Sequence, residues 1–344
     1  MKSVLDKKYQ NKRILLICPS NNDYPKTIKD VLESRGGKVH FYDERNNPNT
    51  IEKILLRKAP FVFKDKIESY YQHIIREEQS FNPNIVFVIS PEAITKNIIK
   101  EMKQQFPKAF FVMFLWDSME NKNLDDIFEE FDECFSFDKR DCEKYGFKFR
   151  PLFFSREYYR DDVSEDDKPE EKYEYDFGFI GTLHSDRPMV INKVRKYCNQ
   201  NGFTYCFYFF VQSKLLLIYW LLKSKDVREL KRFGIVHTDT MPRLMAEKKM
   251  EMTRCVIDVS HPKQNGLTMR TIEMFGLQRK LATTNKNVRE HDFYNPANQI
   301  VIDKNNLNLD MNEVRKPYVQ VEEPLYKKYS VDCWVDEVLE GSLQ

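Results

Sequence analysis

The stretch CVIDVSHPKQNGLTMRTIEMFGLQRKLATTN, residues 255–285, contains the residues that most strongly indicate the fold. It begins with a short apolar run, 255–259, which is typical of a buried parallel strand. A polar loop follows, and a helix is predicted to begin near Leu267 or Thr268. The run 280–284 has the composition of the next strand. The order strand, glycine-bearing loop, helix, strand predicts one unit of a parallel α/β sheet.

The start of this predicted helix carries residue types that favour a bound phosphate. A helix start offers unpaired backbone N–H groups and the positive end of the helix dipole. Gly266 lets the backbone approach a ligand closely, and Thr268 adds a hydroxyl at the cap. Arg270 opposes the dipole unless an anion lies nearby, and Glu273, one turn further in, is placed to reach a ribose diol. An ordinary strand–helix–strand unit with a capped helix fits the same spacing, and both interpretations stay open.

Residues 266–285, GLTMRTIEMFGLQRKLATTN, resemble the nucleotide-sugar-binding segment of GT-B glycosyltransferases. The resemblance is strongest to bacterial members of capsule, lipopolysaccharide and other surface-polysaccharide pathways, and the run 292–296, DFYNP, resembles the same group. It implies that the loop and helix start face the donor diphosphate and that Glu273 holds the ribose. Many retaining members carry two glutamates spaced by seven residues. Asn265 and Gly266 stand where the first would fall, so its role has no residue here.

A second segment, FGFIGTLHSDR at residues 177–187, resembles the loop that leads the donor domain of these enzymes and faces the diphosphate. Gly181 permits close approach there, and Arg187 is suited to neutralise phosphate charge. His184 is also consistent with an ordinary surface-loop histidine. The donor-binding residues that the resemblance implies are Gly181, Thr182, His184, Arg187, His261, Gln264, Gly266, Leu267, Thr268, Arg270 and Glu273.

The composition excludes some classes of protein. The chain has 344 residues with 55 Lys and Arg against 53 Asp and Glu, a formal charge of +2, so it lacks the bulk positive charge of many nucleic-acid binders. The seven cysteines are scattered without C-x-x-C spacing, which predicts reduced thiols and a cytoplasmic protein. The first residues, MKSVLDKKYQNKR, contain no apolar signal core.

One apolar stretch, YCFYFFVQSKLLLIYWLL at residues 205–222, has two interpretations. Gln212, Ser213 and Lys214 interrupt it, and neither half reaches the ~20 residues that a membrane span needs. We divide it into a buried strand, 204–210, and a helix that begins near Ser213. The interpretation we favour is a helix packed in the core or between domains. The alternative is an apolar patch at 213–225 that contacts anionic lipid at the inner face of a membrane.

The first half of the chain alternates strands with helices. Predicted strands at 13–18, 38–42, 84–89, 110–115 and 133–137 alternate with helices at 25–35, 66–78, 94–104, 124–131 and 139–145. The pattern predicts a parallel sheet covered on both faces. Because no G-x-G-x-x-G fingerprint follows the first strand, a dinucleotide-binding interpretation loses its main support.

Candidate catalytic carboxylates follow three of these strands. Ligands of open α/β sheets bind at the carboxyl ends of strands, which selects Asp117 with Glu92 and Asp23 as alternatives. For any single Asp, a helix cap or a structural hydrogen bond is the commoner role. The first domain of GT-B enzymes binds the acceptor, so an inverting member would keep its general base here.

We therefore predict an α/β protein of GT-B architecture, with two Rossmann-like domains facing across a cleft. Residues 1–157 form the acceptor domain, 158–175 an acidic linker and 176–324 the nucleotide-sugar donor domain. A final helix, predicted over 326–339 within the segment 325–344, packs back on the first domain.

The predicted activity is glycosyl transfer from a nucleoside-diphosphate sugar to a surface-polysaccharide or lipid-linked acceptor. No metal, cofactor or nucleic acid is expected. The alternatives are a sugar-nucleotide epimerase and a non-catalytic glycan-binding protein of the same architecture.

Overall fold

The computed structural model describes residues 7–20, 23–45, 64–121, 124, 127–160, 173–261 and 265–343. The chain divides into two compact units. Unit 1 comprises Met1–Arg156 and Lys328–Gln344, and unit 2 comprises Glu157–Lys327. Most of the predicted acidic linker lies outside the described residues.

Unit 1 contains a six-stranded parallel sheet in the order β2-β1-β3-β4-β5-β6. The strands are β1 (Arg13–Cys18), β2 (Lys38–Asp43), β3 (Ile85–Ile89), β4 (Phe110–Leu115), β5 (Glu133–Ser136) and β6 (Lys148–Phe149). Apart from Arg13 at the start of β1, the strands β1, β3 and β4 are apolar, and all but the first residue of β1 and of β4 are buried, as expected of a sheet covered on both faces. The chain passes from β2 to β3 across β1, so the strand order reverses between β1 and β3. The two-residue strand β6 was not predicted.

Helices connect these strands. They are α1 (Tyr24–Ser34), α2 (Lys64–Glu77), α3 (Lys96–Gln105) and α4 (Lys139–Tyr145). The helix predicted over 124–131 is wrong: the described part is a single 3-10 turn, Ile127–Glu130. Residues 125 and 126 lie outside the described residues.

Near its end the chain forms two short helices, α11 (Glu323–Lys328) and α12 (Val331–Val338), followed by a 3-10 turn (Glu340–Leu343), instead of the single predicted helix over 326–339. The break occurs because Ser330 is extended and its hydroxyl accepts from the N–H of Cys333, which starts a new helix. Within unit 1, Trp334 of α12 is fully buried, with its ring 4.6 Å from those of Phe114 and Phe153.

Unit 2 contains a second six-stranded parallel sheet in the order β12-β11-β10-β7-β8-β9. Its strands are β7 (Tyr175–Thr182), β8 (Tyr205–Phe210), β9 (Val236–His237), β10 (Thr253–Asp258), β11 (Lys280–Thr283) and β12 (Gln299–Val301). Its helices are α5 (Arg187–Asn201), α6 (Lys214–Lys223), α7 (Lys225–Arg232), α8 (Arg243–Glu251), α9 (Met269–Gly276) and α10 (Met311–Arg315). The chain passes from β9 to β10 across β7, so the strand order reverses between β7 and β10.

The side chains of β10 alternate between two environments. Cys255 and Ile257 point into the apolar core that also contains helices α5 and α7. Asp258 points to the other face, where it contacts residues of α9. The helices α5 and α9 thus begin at the same edge of the sheet, after neighbouring strands.

Helix α6 is not buried in the core, which was one of the two placements that we favoured, since none of its residues is buried; a placement between the domains stays a prediction. Four of its residues pack against the unit 2 core, and others are exposed to solvent. The helix begins as predicted, capped by the Ser213 hydroxyl. Among the described residues, no helix is both long and apolar enough to cross a membrane.

Candidate functional site

Most of the predicted donor-binding residues lie where β7 and β10 end, at the reversal of strand order in unit 2. In open α/β sheets such a point forms a crevice, because the helices that follow the two strands cover opposite faces. Helix α5 follows β7 and begins at Arg187, and helix α9 follows β10 and begins at Met269. Each helix start directs unpaired N–H groups towards this edge.

A buried carboxylate fixes the start of α9. Asp258, the last residue of β10, is 2% exposed and accepts hydrogen bonds from three threonine hydroxyls. The donors are Thr268 at 2.9 Å, Thr271 at 3.2 Å and Thr283 at 2.9 Å. Thr268 in turn caps the helix, because its hydroxyl accepts from the N–H of Thr271. Asp258 was not among the predicted site residues, because its three partners lie 10, 13 and 25 residues away in the sequence.

Two asparagines that follow strand β11 hold the loop that precedes α9. The amide of Asn285 donates to the carbonyls of Asn265 and Gly266, both at 3.2 Å, and Asn287 donates to Asn265 at 3.1 Å. Gly266 and Leu267 are buried. Leu267 therefore serves as an apolar anchor for the loop. Gln264 lies outside the described residues.

Arg187 and Arg270 link the two strand ends. Arg187 is on the helix after β7 and bonds the backbone after β10, whereas Arg270 is on the helix after β10 and bonds the backbone of β7. Arg187 Nε donates to the carbonyl of Val259, after β10, at 3.0 Å. Arg270 Nη2 donates to the carbonyl of Ile180, in β7, at 3.1 Å. Burial lowers the pKa of the Arg187 guanidinium, Asp258 raises it, and the nearby charge of Arg270 lowers it further. Two cations whose charges act on each other favour an anion between the helix starts.

Glu273 lies beside this pair. It is 6% exposed, and its carboxylate lies 3.8 Å from Arg270 Nε. Burial and, next, the charge of Glu273 raise the pKa of the Tyr158 hydroxyl in the same unit. The side chain is thus held within the protein, so its role is best tested with the isosteric glutamine.

Gly181 and Thr182 belong to strand β7, and Arg187 belongs to helix α5, instead of the loop that the resemblance implies. A Cβ atom at Gly181 would lie 3.0 Å from the Phe179 ring and 3.5 Å from a nitrogen of Arg187. A side chain at Gly181 would therefore require a small shift of the Phe179 ring and would contact the guanidinium. Thr182 contributes its carbonyl, which accepts from Arg187 at 3.4 Å.

Two histidines lie in the loops at this edge. The rings of His184 and His261 are 6.0 Å apart, and His184 Nδ1 lies 2.8 Å from the hydroxyl of Ser185. Burial, with the charges of Arg187 and His261, lowers the pKa of His184 to about 4. Ser185 has a φ of 45°, which side-chain-bearing residues rarely adopt. His184 is therefore neutral at pH 7 and half-buried at this edge.

The three candidate catalytic carboxylates lie at the carboxyl ends of the unit 1 strands. Asp117, after β4, lies 3.4 Å from the hydroxyl of Ser90, which follows β3. Ser90 is buried with a φ of 49°, a strained conformation that recurs at functional sites. Asp23, at the N-cap of α1, is exposed.

Glu92 has a structural neighbour that the sequence analysis missed. The fully buried carboxylate of Glu44 accepts from the backbone N–H groups of Glu92, at 2.8 Å, and of Ile94, at 2.9 Å. Glu92 itself lies 3.5 Å from a nitrogen of Arg45. Glu44 thus fixes the loop after β3 and sets the position of Glu92.

The two parallel sheets define an α/β fold of the GT-B class with two Rossmann-like domains, which confirms the predicted fold class. No protein-family model matches the sequence, and no curated protein matches it.

Solved structures match over nearly the whole chain. A glycosyltransferase from Rickettsia africae has a TM-score of 0.58 at 13% identity, with 96% of this chain and 98% of that chain covered. Anabaena Alr3699/HepE, in complex with UDP and glucose, has a TM-score of 0.56 at 10% identity, covering 96% and 99%. The UDP-GlcNAc 2-epimerase of Methanocaldococcus jannaschii, in complex with UDP-GlcNAc and UDP, has a TM-score of 0.52 at 12% identity, covering 95% and 98%. At these identities the likeness is one of fold.

Proposed function

We propose that this protein is a glycosyltransferase that binds a nucleoside-diphosphate sugar at the β7–β10 edge of unit 2. One observation carries the proposal. The starts of helices α5 and α9 lie at this edge, and Arg187 bonds the backbone after β10 while Arg270 bonds the backbone of β7. Backbone N–H groups and paired guanidiniums together form a site for a multiply charged anion. The diphosphate of the donor has that charge, and Glu273 would bind the ribose hydroxyls.

The same groups would stabilise the departing diphosphate. In the proposed reaction, an acceptor hydroxyl attacks the anomeric carbon, and the bond from that carbon to the diphosphate oxygen breaks. Negative charge then grows on the leaving oxygen, where fixed positive groups lower the barrier most. The acceptor's proton passes to a carboxylate, for which Asp117 is our first candidate, with Glu92 and Asp23 as alternatives.

We propose a surface-polysaccharide or lipid-linked glycan as the acceptor. This part of the proposal is supported by the resemblance of residues 176–303 to bacterial enzymes of those pathways. We further propose that transfer needs no metal, because Arg187 and Arg270 supply the positive charge at the leaving group. Turnover should then be the same with EDTA as with added Mg²⁺.

A sugar-nucleotide epimerase is the second candidate, because a UDP-GlcNAc 2-epimerase is among the structures of similar fold. The two reactions differ in their need for an acceptor. Conversion of a donor with no acceptor present would favour the epimerase, whereas release of the nucleoside diphosphate only with acceptor would favour the transferase.

The first experiment is a thermal-shift screen against UDP, GDP, CDP, ADP, dTDP and CMP. A ligand at 100 times its Kd stabilises the native state by about 2.7 kcal/mol and raises the melting temperature. We expect one nucleoside diphosphate to stabilise the wild type, and Arg187→Gln to reduce that shift. If no nucleotide shifts the melting temperature and none is turned over, the non-catalytic alternative replaces this proposal.

A further inference from the structure

Helix α6 of unit 2 presents an apolar stripe to solvent. Leu215 is 80% exposed, Leu222 79%, Ile218 54% and Tyr219 50%. These positions follow the spacing i, i+3, i+4, i+7, so they lie on one side of the helix. A group of large apolar side chains that are this exposed usually marks a surface that contacts a membrane or another protein.

The rest of α6 is anchored, which holds the stripe in place. Leu216, Leu217, Trp220 and Leu221 pack against the unit 2 core. Arg228 of α7 donates to the carbonyls of Leu221 and Leu222 at the end of α6, at 2.7 and 3.2 Å. One side of the helix is therefore apolar because it packs against the unit 2 core. The apolar residues of the other side face solvent and are not explained by that packing.

The charges around the stripe are positive. The exposed basic residues of α6 and α7 include Lys214, Lys223, Lys225 and Arg228. The two acidic residues of α7 bind other partners in unit 2: Asp226 accepts from Asn192 at 2.8 Å, and Glu229 binds Arg195 and Lys196. An apolar stripe with basic residues beside it complements a surface that is apolar inside and anionic outside.

We propose that this face, defined as Leu215, Ile218, Tyr219 and Leu222 with Lys214, Lys223, Lys225 and Arg228, docks on an anionic lipid bilayer. Helix α6 would lie in the plane of the headgroups with the leucines among the acyl chains. The lysines would extend to the phosphates, while the amphipathic Tyr219 would sit at the boundary. The proposal is independent of the nucleotide site and concerns where the protein is held.

The test is co-sedimentation of the full chain with vesicles of phosphatidylcholine alone or with 30% phosphatidylglycerol. We expect binding to the anionic vesicles that weakens as salt is raised. Leu215→Gln with Leu222→Gln should reduce the partition coefficient about 10-fold or more. Lys223→Gln with Lys225→Gln should reduce it about 5-fold for each charge removed. The control is Leu244→Gln, since Leu244 is also 79% exposed but lies on α8, and it should bind like the wild type.

Three results would overturn the proposal. The first is no binding to either vesicle, and the second is equal binding by the wild type and the double leucine variant. The third is a concentration-dependent dimer, seen by analytical ultracentrifugation, that the leucine variant abolishes without any lipid binding by the wild type. That outcome would assign the face to a second copy of this chain. Unchanged melting temperatures of the variants would show that they are folded.

Discussion

The hydroxyl of Thr268 donates a 2.9 Å hydrogen bond to Asp258 Oδ1 and accepts one from the N–H of Thr271. It therefore links the end of strand β10 to the first turn of helix α9. The cap orients the remaining N–H groups of the helix start, which would face the donor phosphates. Asp258 thus acts on the ligand through Thr268 and is a positioning residue.

The first prediction concerns this link. Asp258→Ala would leave three buried or partly buried hydroxyls without their acceptor, at a cost of about 1–3 kcal/mol for each group that stays unsatisfied. We expect a loss of about 3 kcal/mol or more in the free energy of unfolding, measured by urea denaturation. Thr283→Val removes one donor to Asp258 and the acceptor of the Asn285 N–H, at 3.1 Å, and should cost about 1–3 kcal/mol.

Two threonine variants, Thr268→Val and Thr283→Val, should differ in their affinity for the nucleoside diphosphate. Thr283 is in strand β11 and does not cap α9, so Thr283→Val should weaken binding of the nucleoside diphosphate less than Thr268→Val does. Thr268→Val should weaken binding despite a similar loss of stability. If the wild type, Thr283→Val and Thr268→Val bind the nucleoside diphosphate with equal affinity, the result contradicts a positioning role for Asp258.

The second prediction concerns the arginine pair. Arg187→Gln removes a charge-assisted contact to phosphate, worth about 1.5–3 kcal/mol, and should weaken nucleoside diphosphate binding about 10- to 100-fold. Binding of the uncharged nucleoside should change little. Calorimetric titration of both ligands measures the difference.

Arg279→Gln is the matched control for Arg187→Gln. Arg279 Nε also donates to a backbone carbonyl, that of Glu251 at 3.1 Å, and burial lowers the pKa of its guanidinium as well. Arg279 directly precedes strand β11 and so lies at the amino-terminal ends of the strands, opposite the edge where the proposed phosphate site lies. If both variants lose affinity equally, the effect is one of stability and the phosphate assignment is wrong.

The strands were predictable because their signal is local. The bounds of β1 and β4 agree with the prediction, since each contains an uninterrupted apolar run, 14–18 in β1 and 110–115 in β4. The cap at Thr268 was also predictable, because a threonine before an apolar period is a local signal for a helix start.

The support of the site was not predictable in the same way. Asp258 binds hydroxyls 10, 13 and 25 residues away, and Glu44 binds a loop about 50 residues away. Such contacts depend on which strands become neighbours, and no periodicity in the sequence records that. Helix α6 shows the same limit: its apolar composition does not determine which side the rest of unit 2 covers.

The third prediction concerns the pH dependence of binding. The pKa of His184 is lowered to about 4 in the free protein, so the residue is neutral at pH 7. A bound anion favours the charged form and would raise that pKa, so binding should take up protons at pH 5–6. Calorimetry in buffers of different ionisation enthalpy measures the uptake.

His184→Gln separates this effect from protonation of the nucleotide itself, which is the same for both proteins. The variant should take up fewer protons, and its affinity should rise less as the pH falls. Without ligand, wild-type stability should decline as the pH falls from 6.5 towards 4, because only the unfolded chain gains the proton at His184 in that window. Equal proton uptake by both proteins would place His184 away from the anion.

The last prediction concerns the general base. Asp117→Asn should lower kcat about 100- to 10,000-fold while leaving the Kd of the donor nucleotide unchanged, because a base acts on the acceptor hydroxyl. Glu92→Gln and Asp23→Asn are the parallel tests. Asp117 lies near the hydroxyl of Ser90, so Ser90→Ala serves as the control for a purely structural role. A similar fall in kcat for Ser90→Ala and Asp117→Asn, with lower melting temperatures in both, would make Asp117 structural and leave Glu92 and Asp23 as the candidates.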